Sequence, residues 1–210
     1  MDAKLAFIAL GSNLSSSAGS PSETLRCALA QLMGEPDLSL QAVSRFYRTP
    51  AFPAGSGPDY INACAALATR LSAPEILTIL HGIEASLGRV RHERWGARGI
   101  DLDLLAMGDL VAPDRATHDH WRALPPDRQR IETPDQLILP HPRLQDRAFV
   151  LVPLADIAPL WHHPRLGQTV MQMLAALPRN DREDVRVSLD NSPSSGQLTG
   201  SASDLIRTEG

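Results

Sequence analysis

The chain has 210 residues, of which 43% are hydrophobic, and this length suits one well-packed domain better than two. Its formal net charge of -4 argues against a general nucleic-acid-binding protein, since such domains usually carry a basic surface. The N-terminal residues have no signal-peptide pattern and no stretch approaches the length of a membrane span, which predicts a cytoplasmic protein. Cys27 and Cys64 are far apart in sequence, and we expect two buried free thiols.

The first half of the chain predicts two helices within a set of strands. Each helix is predicted to begin at a capping box, either Ser20-Pro21-Ser22-Glu23 or Ser72-Ala73-Pro74-Glu75. Apolar runs predict strands at Leu5 to Leu10, Leu38 to Arg48, Tyr60 to Thr69 and around Asp101. The resulting order, β-α-β-β-α-β, is typical of an α+β ferredoxin-like sandwich with an antiparallel sheet. In that fold both helices cover one face of the sheet, and we expect the other face to be free for a site.

The second half gives weaker signals. Residues 112–136 are polar and aperiodic and are predicted to form a loop insertion, in which His118 and His120 are expected to be solvated. Leu137 to Pro140 suggests an edge strand, and C-terminal helical additions are expected at Arg147 to Ile157 and Gln168 to Leu177. We therefore predict a single domain over residues 1–178 and a mostly disordered tail over residues 179–210, with strand character only at 185–189.

The segment from Gly88 to Asp103 carries the clearest chemical signal. It combines two aspartates with a glycine-bounded loop of basic and aromatic residues: Arg89, Arg91, Arg94, Trp95 and Arg98. Side chains alternate between the faces of a strand, so Asp101 and Asp103 are expected to project from the same face. Paired carboxylates suit Mg²⁺, and clustered arginines suit a polyphosphate. Because the chain has neither a P-loop motif nor Gly-x-Gly-x-x-Gly, we infer a magnesium-dependent enzyme that binds a nucleoside triphosphate through loop and sheet side chains.

Further fragments occur in a fixed order around this segment: Ala9-Leu10-Gly11-Ser12-Asn13-Leu14, Phe46-Tyr47-Arg48-Thr49-Pro50, Asp59-Tyr60-Ile61-Asn62-Ala63, Pro140-His141-Pro142 and Arg147-Ala148-Phe149. In order and spacing, the chain resembles the 6-hydroxymethyl-7,8-dihydropterin pyrophosphokinase family over roughly Leu5 to Pro159. The resemblance implies transfer of the β,γ-pyrophosphate of ATP to the hydroxymethyl group of the pterin, with release of AMP, in the folate pathway. It also implies that Asp101 and Asp103 bind two Mg²⁺ ions and that Arg89 and Arg98 act on the phosphates during catalysis.

The same resemblance implies two substrate pockets. The pterin contacts would be Gly11, Thr49, Pro50, Ala51, Phe52, Tyr60, Asn62, Trp95 and Phe149. Among these, Tyr60 and Phe149 would sandwich the ring, Asn62 would bind its amide-like edge, and Trp95 would close over the pocket. The ATP contacts would be His81, Glu84, Arg89, Arg91, Arg94, Arg98, Leu104, His141 and Arg147. The chain departs from the best-known members at His81, where they have glutamine, and at Gln136 and Ile138, where some have Arg and Thr.

Two other functions compete with this interpretation. A nucleotidyltransferase would also use two aspartates on a strand, but it would release pyrophosphate. A ferredoxin-like RNA-binding module would need exposed aromatic residues on its central strands within a basic field, and this acidic chain has no such pattern. We therefore expect small-molecule partners, with no nucleic acid or membrane, and a monomer as in the family.

Overall fold

The computed structural model describes residues 3–51, 55, 57–88 and 99–189 of the chain. These residues form seven α-helices and six strands. The strands are β1 (Lys4–Ser12), β2 (Leu38–Val43), β3 (Tyr47–Thr49), β4 (Tyr60–Thr69), β5 (Asp101–Met107) and β6 (Arg186–Val187). The helices are α1 (Pro21–Gly34), α2 (Ala73–Ser86), α3 (Arg115–Ala123), α4 (Pro126–Ile131), α5 (Ala148–Ile157), α6 (Val170–Ala176) and α7 (Arg179–Glu183). A 3₁₀ turn covers Leu144–Asp146.

The described strands form one antiparallel sheet in the order β5-β1-β4-β3-β6, with β2 also paired to β4. This arrangement confirms the predicted ferredoxin-like α+β sandwich. The prediction of a single strand from Leu38 to Arg48 is wrong in one respect, because the structure has two strands there, β2 and β3. At the division, the Cys64 amide donates to the hydroxyl of Ser44 (2.9 Å) instead of to a backbone carbonyl, which interrupts the ladder.

Both predicted capping boxes begin helices, and these helices cover one face of the sheet. The Ser20 amide donates to Oε2 of Glu23 (2.7 Å), and the Ser72 amide donates to Oε2 of Glu75 (2.7 Å). Both bonds satisfy amides that would otherwise lack a partner at a helix start. The apolar sides of α1 and α2 then pack on alternate residues of β1, β4 and β5 to form the larger core.

The opposite face of the sheet is only partly free, which corrects the expectation that it would be left open. Phe7, Cys64 and Leu105 point to this face and are fully buried against α5 and α6. Such apolar side chains need a cover, because exposing them to water costs roughly 1.5–3 kcal/mol for each large residue. The C-terminal helices supply that cover, so an open site on this face must lie beyond their N-terminal end.

Three predictions for the second half of the chain need correction. Residues 112–136 contain α3 and α4 and are not simply a loop: the Asp114 carboxylate caps α3 by accepting from the Thr117 amide (2.9 Å). Leu139 makes an isolated antiparallel bridge with Ala112 and no edge strand. Up to residue 189 the predicted tail is ordered as α7 and β6, which pairs with β3; residues 190–210 lie outside the described part. Both cysteines are free as predicted, although only Cys64 is buried.

Candidate active site

Asp101 and Asp103 lie on the face of the sheet that α5 only partly covers. Gly11 of β1 is opposed to Asp101 on one side and to Asn62 on the other, and Ala9 is opposed to Asp103. These residues therefore form two neighbouring rows across β5, β1 and β4 with their side chains on one face. Both aspartates are partly exposed, so the predicted pair of carboxylates is present on an accessible surface.

A cation and an aromatic ring stand next to this pair at the start of α5. Nη1 of Arg147 is 3.9 Å from Oδ2 of Asp103, and its guanidinium carbon is 5.6 Å from the ring centre of Phe149. Phe149 is 41% exposed, so part of its ring is open to a ligand. The start of α5 thus places a positive charge and an open aromatic surface beside the carboxylates.

The amide of Asn62 is held in one orientation on the same face. Its Nδ2 donates to Oγ1 of Thr49 (2.7 Å), and both residues are buried. A Cβ at Gly11 would lie 3.1 Å from Oδ1 of Asn62, so the absence of a side chain at position 11 leaves room for that oxygen. Strand alternation places Tyr60 on the same face, two residues before Asn62.

The outer edge of β5 is occupied by two groups from elsewhere in the chain. Oε1 of Glu84, a buried residue of α2, accepts from the Leu102 amide (2.8 Å) between the two aspartates. The His141 amide donates to the carbonyl of Leu105 (2.7 Å). Since β5 is the last strand of the sheet, these bonds satisfy backbone groups that have no neighbouring strand and so hold the aspartate strand in place.

His141 is neutral in this setting. Burial lowers the pKa of His141 to about 3, and the positive charges of Arg147 and Arg143 act in the same direction, against the weaker effect of Asp101. Its Nδ1 accepts from the Arg143 amide (3.1 Å), so in the neutral ring the hydrogen is on Nε2. The ring of His141 therefore carries no charge and has its one N–H at Nε2.

Two residues at the end of β1 were not among the predicted site residues, although they belong to the fragment Gly11-Ser12-Asn13. Oγ of Ser12 donates to the carbonyls of Gly99 (2.5 Å) and Leu14 (3.2 Å). Nδ2 of Asn13 donates to the carbonyl of Pro58 (3.3 Å). The end of β1 is thus bonded to the backbone just before β5 and to the backbone just before β4.

The remaining predicted site residues lie in different environments, some buried and some exposed. Ala51 is buried and Pro50 is exposed next to Thr49. His81 is exposed whereas Glu84 is buried, so the two do not share an environment. The side chain of Leu104 is in the core beneath α1 and α2, which leaves only its backbone for a nucleotide contact. The predictions at Phe52, Arg89, Arg91, Arg94, Trp95 and Arg98 lie outside the described residues.

The described residues contain no cluster of three or more His, Cys, Asp or Glu side chains that could hold a metal ion. None of their helices is long and apolar enough to cross a membrane. The expectation that His118 and His120 are both solvated is wrong for His118, which is fully buried, whereas His120 is exposed.

Comparison with known proteins gives a consistent result. A protein of Synechocystis sp. is 40% identical over 169 residues, which are 80% of this chain and 74% of that protein. One from Pseudomonas aeruginosa is 37% identical over 172 residues, covering 82% and 91%. Both are named 2-amino-4-hydroxy-6-hydroxymethyldihydropteridine pyrophosphokinase.

Solved structures share the fold. A crystal structure described as HPPK-DHPS in complex with substrates superposes with a TM-score of 0.59 at 12% identity, covering 84% of this chain and 43% of that longer one. Wild-type HPPK-DHPS of Plasmodium falciparum gives 0.55 at 15% identity, covering 82% and 44%. The family model for 7,8-dihydro-6-hydroxymethylpterin-pyrophosphokinase (HPPK) matches residues 7–159. The chain belongs to the HPPK family.

Proposed function

We propose that this chain transfers the β,γ-pyrophosphoryl group of ATP to the hydroxymethyl oxygen of 6-hydroxymethyl-7,8-dihydropterin and releases AMP, as a step of folate biosynthesis. Membership of the family supports the reaction. The match to the family model covers residues 7–159 and so includes the residues proposed for the pterin and those proposed for ATP. The observation that carries the proposal is the placement of Asp101 and Asp103 on one accessible face, with Asp101 in the same row as Gly11 and Asn62 and Asp103 in the next row, opposite Ala9. The surface that would bind the pterin acceptor therefore lies next to the carboxylates that would act on the phosphates.

The bonds that change are few. The hydroxymethyl oxygen attacks the β-phosphorus of ATP, the bond from that phosphorus to the oxygen it shares with the α-phosphorus breaks, and AMP leaves. The hydroxyl proton is released to solvent. Catalysis of such a transfer consists mainly of holding the two reactants in line and stabilising the charge on the phosphate oxygens.

Asp101 and Asp103 fit the role of Mg²⁺ ligands. Mg²⁺ is usually held by one or two carboxylates together with substrate phosphates, and this face offers two carboxylates on a rigid strand. When bound, Mg²⁺ neutralises phosphate charge and orients the transferred group. We propose two ions, as the family resemblance implies. Arg147, beside Asp103, would bind the nucleotide phosphates together with Arg89 and Arg98.

The pterin pocket would use the row that ends at Asn62. Because Nδ2 of Asn62 is engaged by Thr49, Oδ1 is positioned to accept from a ring N–H of the pterin. The exposed ring of Phe149 and the ring of Tyr60 would stack on the two sides of the flat ligand.

We further propose that the protein is cytoplasmic and monomeric.

Product analysis separates this function from its main competitor. The protein is incubated with ATP, Mg²⁺ and the dihydropterin, and the nucleotides are resolved by chromatography. We expect AMP in an amount equal to the pterin consumed, and none when the dihydropterin is omitted or EDTA is added. Inorganic pyrophosphate as the product would identify a nucleotidyltransferase, and ADP would identify an ordinary phosphoryl transfer. Tight RNA binding without ATP turnover would support the RNA-binding module.

A further inference from the structure

His118 of α3 is a buried polar group outside the proposed catalytic face. Its side chain is fully buried, and its Nε2 lies 3.0 Å from the carbonyl oxygen of Pro140. A carbonyl oxygen can only accept, so Nε2 carries the hydrogen and donates it. Burial lowers the pKa of His118, which keeps the ring neutral near pH 7. The residue that accepts this bond directly precedes His141, an expected nucleotide contact.

The segment from Leu139 to Arg147, called the strap below, is bonded at successive residues. The Leu139 amide donates to the carbonyl of Ala112 (3.1 Å), and the Ala112 amide donates to the carbonyl of Leu139 (2.9 Å). Pro140 receives the bond from His118, and the His141 amide donates to Leu105 of β5 (2.7 Å). The strap is therefore fixed on one side to β5 and on the other to α3.

The strap leads directly to the charged part of the site. The Leu144 amide donates to the carbonyl of His141 (3.0 Å), and the Leu144 side chain is fully buried beneath α5. Three residues later, Arg147 is the N-cap residue of α5 and lies 3.9 Å from the carboxylate of Asp103. A shift of Pro140 would thus be transmitted to His141 and Arg147, both expected to contact ATP.

The position of His118 is itself held by neighbouring residues of the 163–166 turn. Asp119, the next residue of α3, accepts from the guanidinium of Arg165. His163 is fully buried, its ring centre is 5.8 Å from that of His118, and its Nδ1 accepts from the amides of Arg165 (3.2 Å) and Leu166 (3.3 Å). The hydrogen of neutral His163 is consequently on Nε2. Within the described residues, Nε2 of His163 and Nδ1 of His118 have no hydrogen-bond partner, and they are a matching donor and acceptor.

We propose that His118 is a positioning residue for the nucleotide: by donating from Nε2 to Pro140, it holds the strap so that His141 and Arg147 meet ATP. This gives a role to the segment of residues 112–136. The inference rests on the proposed function for its kinetic readout. It predicts a larger effect on ATP than on the pterin. Asn62 and Thr49 are held by β3 and β4 and do not depend on the strap, and only Phe149, which contacts Arg147, would follow its movement on the pterin side.

The kinetic test compares two substitutions at one position. His118→Gln keeps a donor near the place of Nε2, whereas His118→Leu fills the space without a donor. We expect His118→Leu to raise the KM for ATP by roughly five- to tenfold, the effect of one lost hydrogen bond, with smaller changes in the KM for the dihydropterin and in kcat. His118→Gln should recover most of the wild-type KM. The matched control is His120→Ala, two residues along α3 and exposed.

Either of two kinetic results would contradict the proposed role of His118. Equal changes in both KM values, or no recovery with His118→Gln, would show a general structural role and overturn it. If His118→Leu does not fold, Asp119→Asn is used instead. This substitution removes the charged contact with Arg165, which should loosen α3 and so weaken the hydrogen bond from His118 to Pro140. An unchanged KM for ATP in a folded Asp119→Asn variant would also overturn the inference.

A second readout does not depend on turnover. Hydrogen exchange of the His141 amide reports the bond to Leu105 directly. We expect at least about tenfold faster exchange at His141 in His118→Leu than in the wild type, with amides of β4 unchanged. If the wild type makes no AMP, the proposed function fails while this measurement still decides the role of His118 in holding the strap. Unchanged exchange at His141 would contradict that role.

Discussion

Gly11 and Asn62 are directly opposed on neighbouring strands, and a Cβ at position 11 would lie only 3.1 Å from Oδ1 of Asn62. Ordinary contacts of a Cβ are 3.4–4 Å, so one of the two groups would have to move. Asn62 has little freedom to do so, because it is buried and its Nδ2 is bonded to Thr49 at 2.7 Å. Glycine at position 11 therefore preserves the amide orientation that the proposed pterin contact needs.

Gly11→Ala is predicted to weaken pterin binding selectively. The added methyl group should displace Oδ1 of Asn62 and raise the KM for the dihydropterin by roughly five- to tenfold, since one hydrogen bond is lost. The KM for ATP should change by less than about twofold. Initial rates with each substrate varied in turn provide the measurement. Gly82→Ala is the control: position 82 is helical with open space around it, and it should leave both constants unchanged.

Much of the first half of the fold could be predicted from local sequence. The two capping boxes located the starts of α1 and α2, and the alternation of Asp101, Leu102 and Asp103 predicted which side chains share a face. These signals depend on residues within one or two turns of each other. The family resemblance then indicated that Thr49, Asn62 and Phe149 belong to one site.

Other features depend on contacts between distant residues, and the sequence could not show them. Asp156 of α5 accepts from Arg45 (2.7 Å) and from the hydroxyl of Tyr47 (2.8 Å), more than 100 residues away, and this locks α5 onto the sheet. The burial of His118 was also missed, because α3 is polar on average and its one buried side chain follows only from the position of Pro140. The Asp114 to Thr117 capping pair was a local signal for α3 that could have been found.

The two aspartates can be tested separately. Asp101→Asn and Asp103→Asn should each lower kcat by at least about 100-fold, because a neutral amide is a poor Mg²⁺ ligand. The thermal midpoint should change by only a few degrees, since both side chains are partly exposed on the site face. Asp109→Asn, at an exposed turn after β5, serves as the control. A variant at position 101 or 103 with the wild-type rate would remove that residue from the proposed metal site.

Glu84 is predicted to stabilise β5, the strand that carries the two aspartates, through its hydrogen bond with the Leu102 amide. Glu84→Gln retains an oxygen that can accept from the Leu102 amide, so the free energy of unfolding should change little. Glu84→Ala leaves that buried amide without its partner, and we expect a loss of about 1–3 kcal/mol. Urea denaturation at pH 7 measures both. Equal stability of the two variants would show that the bond to Leu102 does not hold β5 in place.

Acid should destabilise the fold through its buried histidines. Burial lowers the pKa of His163 to about 4 and also lowers the pKa of His118, so the unfolded chain takes up more protons than the folded one as the pH falls below about 6.5. The contribution of His163 is therefore complete above pH 6.5, is lost towards pH 4, and levels off below that value. The contribution of His118 is also complete above pH 6.5 and is lost as the pH falls below it. The nearby charges of Arg122 and Arg165 lower the pKa of both histidines and add to this pH dependence, whereas Asp119 raises the pKa of His118 and reduces it.

The loss between pH 6.5 and 4 should approach roughly 1.4 kcal/mol per pH unit for each histidine that stays neutral in the folded state. The measurement is the free energy of unfolding in urea at several pH values, for the wild type and for His163→Gln. The variant should show a shallower dependence in this window. Parallel curves for the two proteins would assign the acid sensitivity to other groups.

The central claim is that the face carrying Asp101 and Asp103 performs pyrophosphoryl transfer. ³¹P NMR of a reaction containing the protein, ATP, Mg²⁺ and the dihydropterin tests it most directly, because it identifies every phosphorus product at once. We predict equal amounts of AMP and of a pterin diphosphate with two coupled phosphorus signals, and neither product with Asp101→Asn or Asp103→Asn. Inorganic pyrophosphate or ADP in place of AMP, or unchanged products in the two variants, would contradict the claim.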